Sequence, residues 1–168
     1  MAITYEPIAT TTLSGTATSI TFSSIPNTYT DLVVSWTALA STASYQPAIR
    51  FNGDNGANYN MLELWGDGTS PSFATERDTS YINAARGSSL STTIPEFTEF
   101  NIFSYAGSTY KTAINKYAGD NNGSGVIEIT VGLWRSTAAI NSLTLVSANG
   151  AQSLAAGTIA TLYGIRKA

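Results

Sequence analysis

The stretch GVIEITVGLW, residues 125–134, decides the fold class. Ile127, Ile129, Val131 and Leu133 fall on one side of a period-two pattern, with Glu128 and Thr130 on the other. Strict alternation over this length is the mark of a β-strand, since an amphipathic helix needs apolar residues at every third or fourth position. The same pattern spreads outward. In DLVVSWTA (31–38), Leu32, Val34, Trp36 and Ala38 share a face, and in EFNIFSY (99–105) Phe100 and Ile102 oppose Asn101 and Phe103. Ile20 with Phe22, Leu143 with Leu145, and Ile159 with Thr161, Tyr163 and Ile165 repeat it. Shorter extended segments are read at TYEPI (4–8), AIRF (48–51), MLELW (61–65), TSYIN (79–83) and YKTAINK (110–116).

Turn residues separate these runs: Ser14-Gly15, Pro26-Asn27, Asn52-Gly53, Asn55-Gly56, Gly66-Asp67-Gly68, Gly87-Ser88-Ser89, Asp120-Asn121-Asn122-Gly123 and Asn149-Gly150. Asn and Gly accept the positive φ that tight turns require. Eight to ten short strands punctuated in this way predict an all-β antiparallel β-sandwich, jelly-roll-like, with two four-stranded sheets fitting the length. The 168 residues form a single domain, 1–168, in which 1–18 is an extended N-terminal arm or an edge strand.

Composition narrows the chemistry. Only 19 residues are charged, net charge is −3, and there is neither Cys nor His. That removes disulfides, the usual zinc sites and the Ser-His and Cys-His nucleophile pairs. The eight basic residues never cluster beyond Arg166-Lys167, so no basic face for nucleic acid is expected. No strictly apolar run exceeds three residues, so no membrane span is expected, and MAITYEPIATTTL lacks the basic and apolar regions of a secretory signal. Residues 1–49 hold only Glu6 and Asp31, and residues 136–165 hold no charge. Either Ser, Thr and Asn solvate these segments, or they pack in a subunit interface whose core is depleted of charge.

The remaining catalytic apparatus is paired carboxylates, Glu63 with Asp67 or Glu96 with Glu99. The first pair divides between a strand and a turn, and the second points to opposite faces of an extended segment. Solvated faces and turn caps are the better reading of all four, and an enzyme is not expected. The loops at Asp54 and Asp120 faintly resemble calcium loops, but each offers a single carboxylate; tight turns are expected and no cofactor or metal is assigned. Of the three Trp, Trp36 is read as core and Trp134 as ending an apolar strand, while Trp65 before Gly-Asp-Gly is the best candidate for an exposed platform.

Four stretches taken together, ITFSSIPNTYTDLVV (20–34), RFNGDNGANY (50–59), LWRSTAAINSLTLVSANG (133–150) and GTIATLYGIRKA (157–168), resemble short virion structural proteins of tailed bacteriophages, notably phages of cyanobacteria. The resemblance implies a non-enzymatic β-sandwich that serves as a capsid decoration (cement) protein or as a tail or tail-fibre module. As a decoration protein it would sit on the capsid exterior, bind the major capsid protein and itself, and favour a homotrimer at threefold positions. As a tail component it would bind a host surface glycan through exposed aromatics such as Trp65. Tyr5, Ile8, Trp65 and Tyr163 are the expected interface residues, Arg50 is placed to pair with Asp54 across its turn, and Gly164 is placed for a close approach in the last strand.

Overall fold

The computed structural model describes residues 3–86, 89–120 and 124–167. Parts of two expected turns, Gly87-Ser88 and Asn121-Asn122-Gly123, lie outside the described residues. Among the described residues are twelve strands: β1 (Ile3–Thr12), β2 (Ser19–Phe22), β3 (Asp31–Ala38), β4 (Pro47–Phe51), β5 (Tyr59–Gly66), β6 (Pro71–Thr79), β7 (Ile82–Asn83), β8 (Glu96–Phe103), β9 (Lys111–Asp120), β10 (Gly125–Trp134), β11 (Leu143–Ser147) and β12 (Ile159–Lys167). They form two antiparallel sheets, one of eight strands in the order β1-β12-β3-β8-β9-β10-β5-β6 and one of four in the order β2-β11-β4-β7. The chain changes sheet at each step from β2 to β5, as in a β-sandwich. The sheets, however, hold eight and four strands rather than four each, and the strand count exceeds the expected eight to ten.

The excess has identifiable sources. β6 lies outside the expected strands: PSFATERDT opens on Pro, carries Glu-Arg-Asp before its final Thr and has one large apolar residue, Phe73. Those are the features of an edge strand, where Pro and charge discourage further pairing, and β6 is one edge of the large sheet. The TSYIN segment divides between the last residue of β6 and the two-residue β7. At the other edge β1 pairs with β12 and shifts register between Pro7 and Ala9, so residues 3–12 are an edge strand of the large sheet.

The core lies where the small sheet covers the large one. Ile20, Phe22, Ile49, Phe51, Leu143 and Leu145 from the small sheet meet Leu32, Val34, Trp36, Phe100, Ile102 and Leu162 from the large one. Trp36 stacks on Phe100 at 5.9 Å, and Phe51, Tyr59 and Trp134 form a second aromatic group with centroids 5.7–6.3 Å apart. Trp36 and Trp134 are therefore core residues, almost fully buried. Asp54 anchors the second group, since Trp134 Nε1 donates to its Oδ2 at 2.7 Å. Arg50 does not pair with Asp54. It turns toward the 79–82 connection, where Nε donates to the Ser80 carbonyl at 2.9 Å, because the Asp54 carboxylate is already taken by Trp134, Gly56 and Asn58.

Two glycines mark close approaches. A Cβ on Gly132 of β10 would lie 2.6 Å from Ile82 Cδ1, so β7 can lie on β10 only where a side chain is missing. A Cβ on Gly164 of β12 would lie 2.3 Å from Tyr29 Cγ; the Tyr29 ring rests on the strand there, with the Arg166 guanidinium 5.4 Å from its centroid.

Candidate functional site

Alternation sorts the residues of β10 into two groups without saying which is covered, and the structure covers the less apolar one. Glu128, Thr130, Gly132 and Trp134 face the interior, while Ile127 (71% exposed), Ile129 and Val131 face out. Trp134 and Gly132 impose this. The indole is locked between Phe51 and Tyr59, and Ile82 packs against Gly132, so the strand cannot turn over without opening the core. A slip of one residue would invert every side chain on the strand.

The neighbouring strands follow. Ile129 pairs with Leu64 and Val131 with Leu62 on β5, and Leu64 pairs in turn with Phe73 on β6. Leu62 and Leu64 are about half exposed, and Phe73 is 75% exposed. On the other side of β10, Ile127 pairs with Ala118, which pairs with the half-exposed Phe97 of β8. These seven large side chains present roughly 600 Å² of contiguous apolar surface, at the top of the range for a monomer and typical of an interaction site. Charge is sparse on this side: Lys116, directly opposite Ile129, pairs its Nζ with Glu99 Oε1 at 3.1 Å, and Arg77 of β6 is exposed on the same side as Phe73. A cleft of about 780 Å³ opens beside the β5–β6 hairpin, lined by Leu64, Ile127, Ile129, Gly68, Ser70 and Pro71 among others.

Behind this face lies a buried polar group. Arg86 Nη1 lies 3.3 Å from Glu63 Oε2 and also pairs with Glu76, and the Arg86 amide donates to Glu128 Oε1 at 2.9 Å. Tyr117 donates its hydroxyl to Glu96 Oε2 at 2.8 Å. Burial pushes the carboxyls of Glu63 and Glu96 above the usual carboxylate range, which the Arg86 charge and the Tyr117 hydroxyl respectively offset only in part. Among the described residues no three acidic side chains converge as a metal-binding group.

The paired-carboxylate arrangement has no geometry to work with. Glu63 is buried on the inner face, whereas Asp67 caps the exposed hairpin, accepting from the Thr69 amide at 2.9 Å and hydroxyl at 2.6 Å, hydrogen bonds that hold its carboxyl down at about 2. Glu96 is buried on the inner face and Glu99 sits on the outer one with Lys116, the opposition their spacing predicts. Both Asp54 oxygens are occupied by protein donors: Oδ1 by the Gly56 amide, and Oδ2 by Trp134 and Asn58. Asp120 ends β9 opposite Gly125, and the loop that follows lies outside the described residues.

Of the four expected interface residues, the structure brings two together. Tyr5, 58% exposed on β1, meets Tyr163 edge-on at 6.2 Å. Ile8, on the opposite side of β1 from Tyr5, is half-buried and packs against the core. Trp65 is half-buried at the far end of the sheet, opposite Glu128 and Ser72 and beside the cleft. Sequence reasoning missed Leu62, Leu64, Phe73 and the outward aim of Ile127, Ile129 and Val131. The available signal was the MLELW segment, in which Leu62 and Leu64 frame a Glu on the opposite face just as in β10. No protein-family model matches this chain, and no curated protein sequence matches it significantly.

Proposed function

We propose that this chain is a structural protein of a tailed-phage virion, a capsid decoration protein that stabilises the head by binding the major capsid protein and copies of itself. The observation that carries the reading is the apolar outer face on β6, β5 and β10: adhesion needs area to cover, and this sheet offers it where a solitary soluble domain would place charge. The resemblance of residues 20–34, 50–59, 133–150 and 157–168 to phage virion proteins supplies the setting. The uncharged segment 136–165, which includes β11 and most of β12, suits a molecule packed among neighbours, and a homotrimer on the capsid exterior is the arrangement favoured by a lattice with threefold positions. No bond is made or broken in this role, so the protein acts without a cofactor.

A tail or tail-fibre role is the second reading, favoured by one observation: Trp65, half-buried, lines the cleft, and sugars are held by stacking on aromatic rings. Copy number separates the two. Quantitative mass spectrometry of purified particles, split into heads and tails, should find hundreds of copies per particle in the head fraction. Recovery of a few dozen copies or fewer, in the tail fraction, would replace the decoration role by the tail role. Absence from both fractions would end the virion reading.

A further inference from the structure

We propose that the outer face of β6, β5 and β10 is where one copy of this chain meets another, with Phe73 of one copy seated in the cleft beside the β5–β6 hairpin of the next. The inference takes from the proposed function only that the protein works as an oligomer; the surface and the occupant come from the geometry.

Three features point to a second copy rather than to a different partner. The first is a knob and a hole on the same surface. Phe73, 75% exposed, is the one large apolar residue of the edge strand β6, and the cleft next to it is lined by Leu64, Ile127, Ile129 and Pro71, with Lys116 among them. A surface that carries both halves of a contact is complementary to itself, and repetition of that contact gives a closed oligomer when its rotation closes. The second is area. The patch of roughly 600 Å², with its polar border, approaches the about 800 Å² per partner of a standard stable interface. The third is charge. Lys116 and Glu99 pair with each other, and Arg77 near the end of β6 is a further lone cation on this side, too little charge for a strong pull on a nucleic acid, an anionic lipid surface or a strongly charged protein.

The apolar contact is also the physical reason for the reversed strand pattern. Where both faces of β5 and β10 are covered, one by the small sheet and one by a neighbour, the outer positions take Leu, Ile and Val, as strands buried on both sides do.

The experiment is sedimentation velocity and light scattering of the full chain across micromolar to hundreds-of-micromolar concentrations, for the wild type, Phe73→Ser, Ile127→Asp and, at the opposite sheet edge, Tyr5→Ser. The wild type is expected to be a dimer or trimer. Removing Phe73 or charging Ile127 is expected to weaken association by on the order of a hundredfold, from the apolar area each withdraws from the contact, with Tyr5→Ser unchanged. Far-ultraviolet dichroism verifies that each variant folds. A second measurement does not depend on the destabilised variants: Thr75→Cys in this cysteine-free chain, spin-labelled, should show dipolar broadening between copies. A wild type that stays monomeric at every concentration overturns the inference. So does an oligomer that is indifferent to both face variants and shows no broadening. Neither result touches the virion reading if the protein is still found on heads, which keeps the two failures apart.

Discussion

Replacing Gly164 with Ala tests how the last strand is held under Tyr29. The added Cβ would lie 2.3–2.4 Å from three ring carbons, against about 3.5–4.0 Å for carbon atoms in contact, so the ring must move by more than about 1 Å. It has little freedom to do so. The Tyr29 amide donates to the Tyr105 hydroxyl at 3.3 Å, Tyr105 in turn is tied to the Pro26 carbonyl, and the Arg166 guanidinium lies against the ring. Overpacking of this kind costs about 1–3 kcal/mol, and losing the partly exposed cation–π contact adds about 0.5–1 kcal/mol. Alanine in place of glycine within a strand returns about 0.5–1 kcal/mol. The steric term wins, leaving a net loss of about 1–3 kcal/mol, a fall in melting temperature of roughly 2–12 °C for a chain of this size. Urea unfolding followed by tryptophan fluorescence measures it, for Gly164→Ala, Tyr29→Ala and the double variant. With the ring removed there is nothing to strike, so Gly164→Ala on the Tyr29→Ala background should be neutral or slightly stabilising. Equal penalties on both backgrounds would refute the argument, as would a single variant within about 0.5 kcal/mol of wild type.

Gly132→Ala should cost about 1–3 kcal/mol by driving a Cβ into Ile82 at 2.6–2.9 Å, and the protection of β7 amides against hydrogen exchange should fall first. Asp54→Ala removes the acceptor for Trp134 Nε1 and the Gly56 amide, with an expected loss of about 2–3 kcal/mol in urea unfolding and an altered Trp134 emission. The folded-state values of Glu63 and Glu96 are raised, so the native protein holds their protons more tightly than the unfolded chain does; their contribution to stability is full below the ordinary 4.5 and is lost as pH rises through the raised values. The urea midpoint should therefore climb as pH falls from 7 toward 5, and Glu96→Gln should flatten that climb. The lowered carboxyls act in a separate window: burial pushes Asp54 up, but its bonds to Trp134, Gly56 and Asn58 prevail, and its stabilising contribution disappears only below the ordinary 3.8.

Much of the fold was legible along the chain. Period-two runs at residues 20–22, 31–38, 99–105 and 125–134 mark strands because successive side chains of extended backbone point to opposite faces, and twelve strands in two antiparallel sheets result. β6 escaped because an edge strand is defined by its lack of a second neighbour, and the Pro and charges that suit an edge erase the strand signature. Ile8 lies on the opposite side of β1 from Tyr5 by simple alternation, and that this side rests against the core is set only by the pairing of β1 with β12. Tyr5 and Tyr163 are more than 150 positions apart in the chain and meet only because β1 and β12 pair.

The amino-acid order alone determined the class of structure and the division of each strand into two sets of side chains, since both follow from backbone geometry repeated residue by residue. Which set is enclosed was decided only in three dimensions. On β10, the ring of Trp134 and the bare backbone of Gly132 fit beneath the small sheet, and the choice is then transmitted through hydrogen-bonded register to Leu62, Leu64 and Phe73. Alternation is symmetric between the two sides of a sheet; packing against a second sheet breaks that symmetry, and here it left the more apolar side outward.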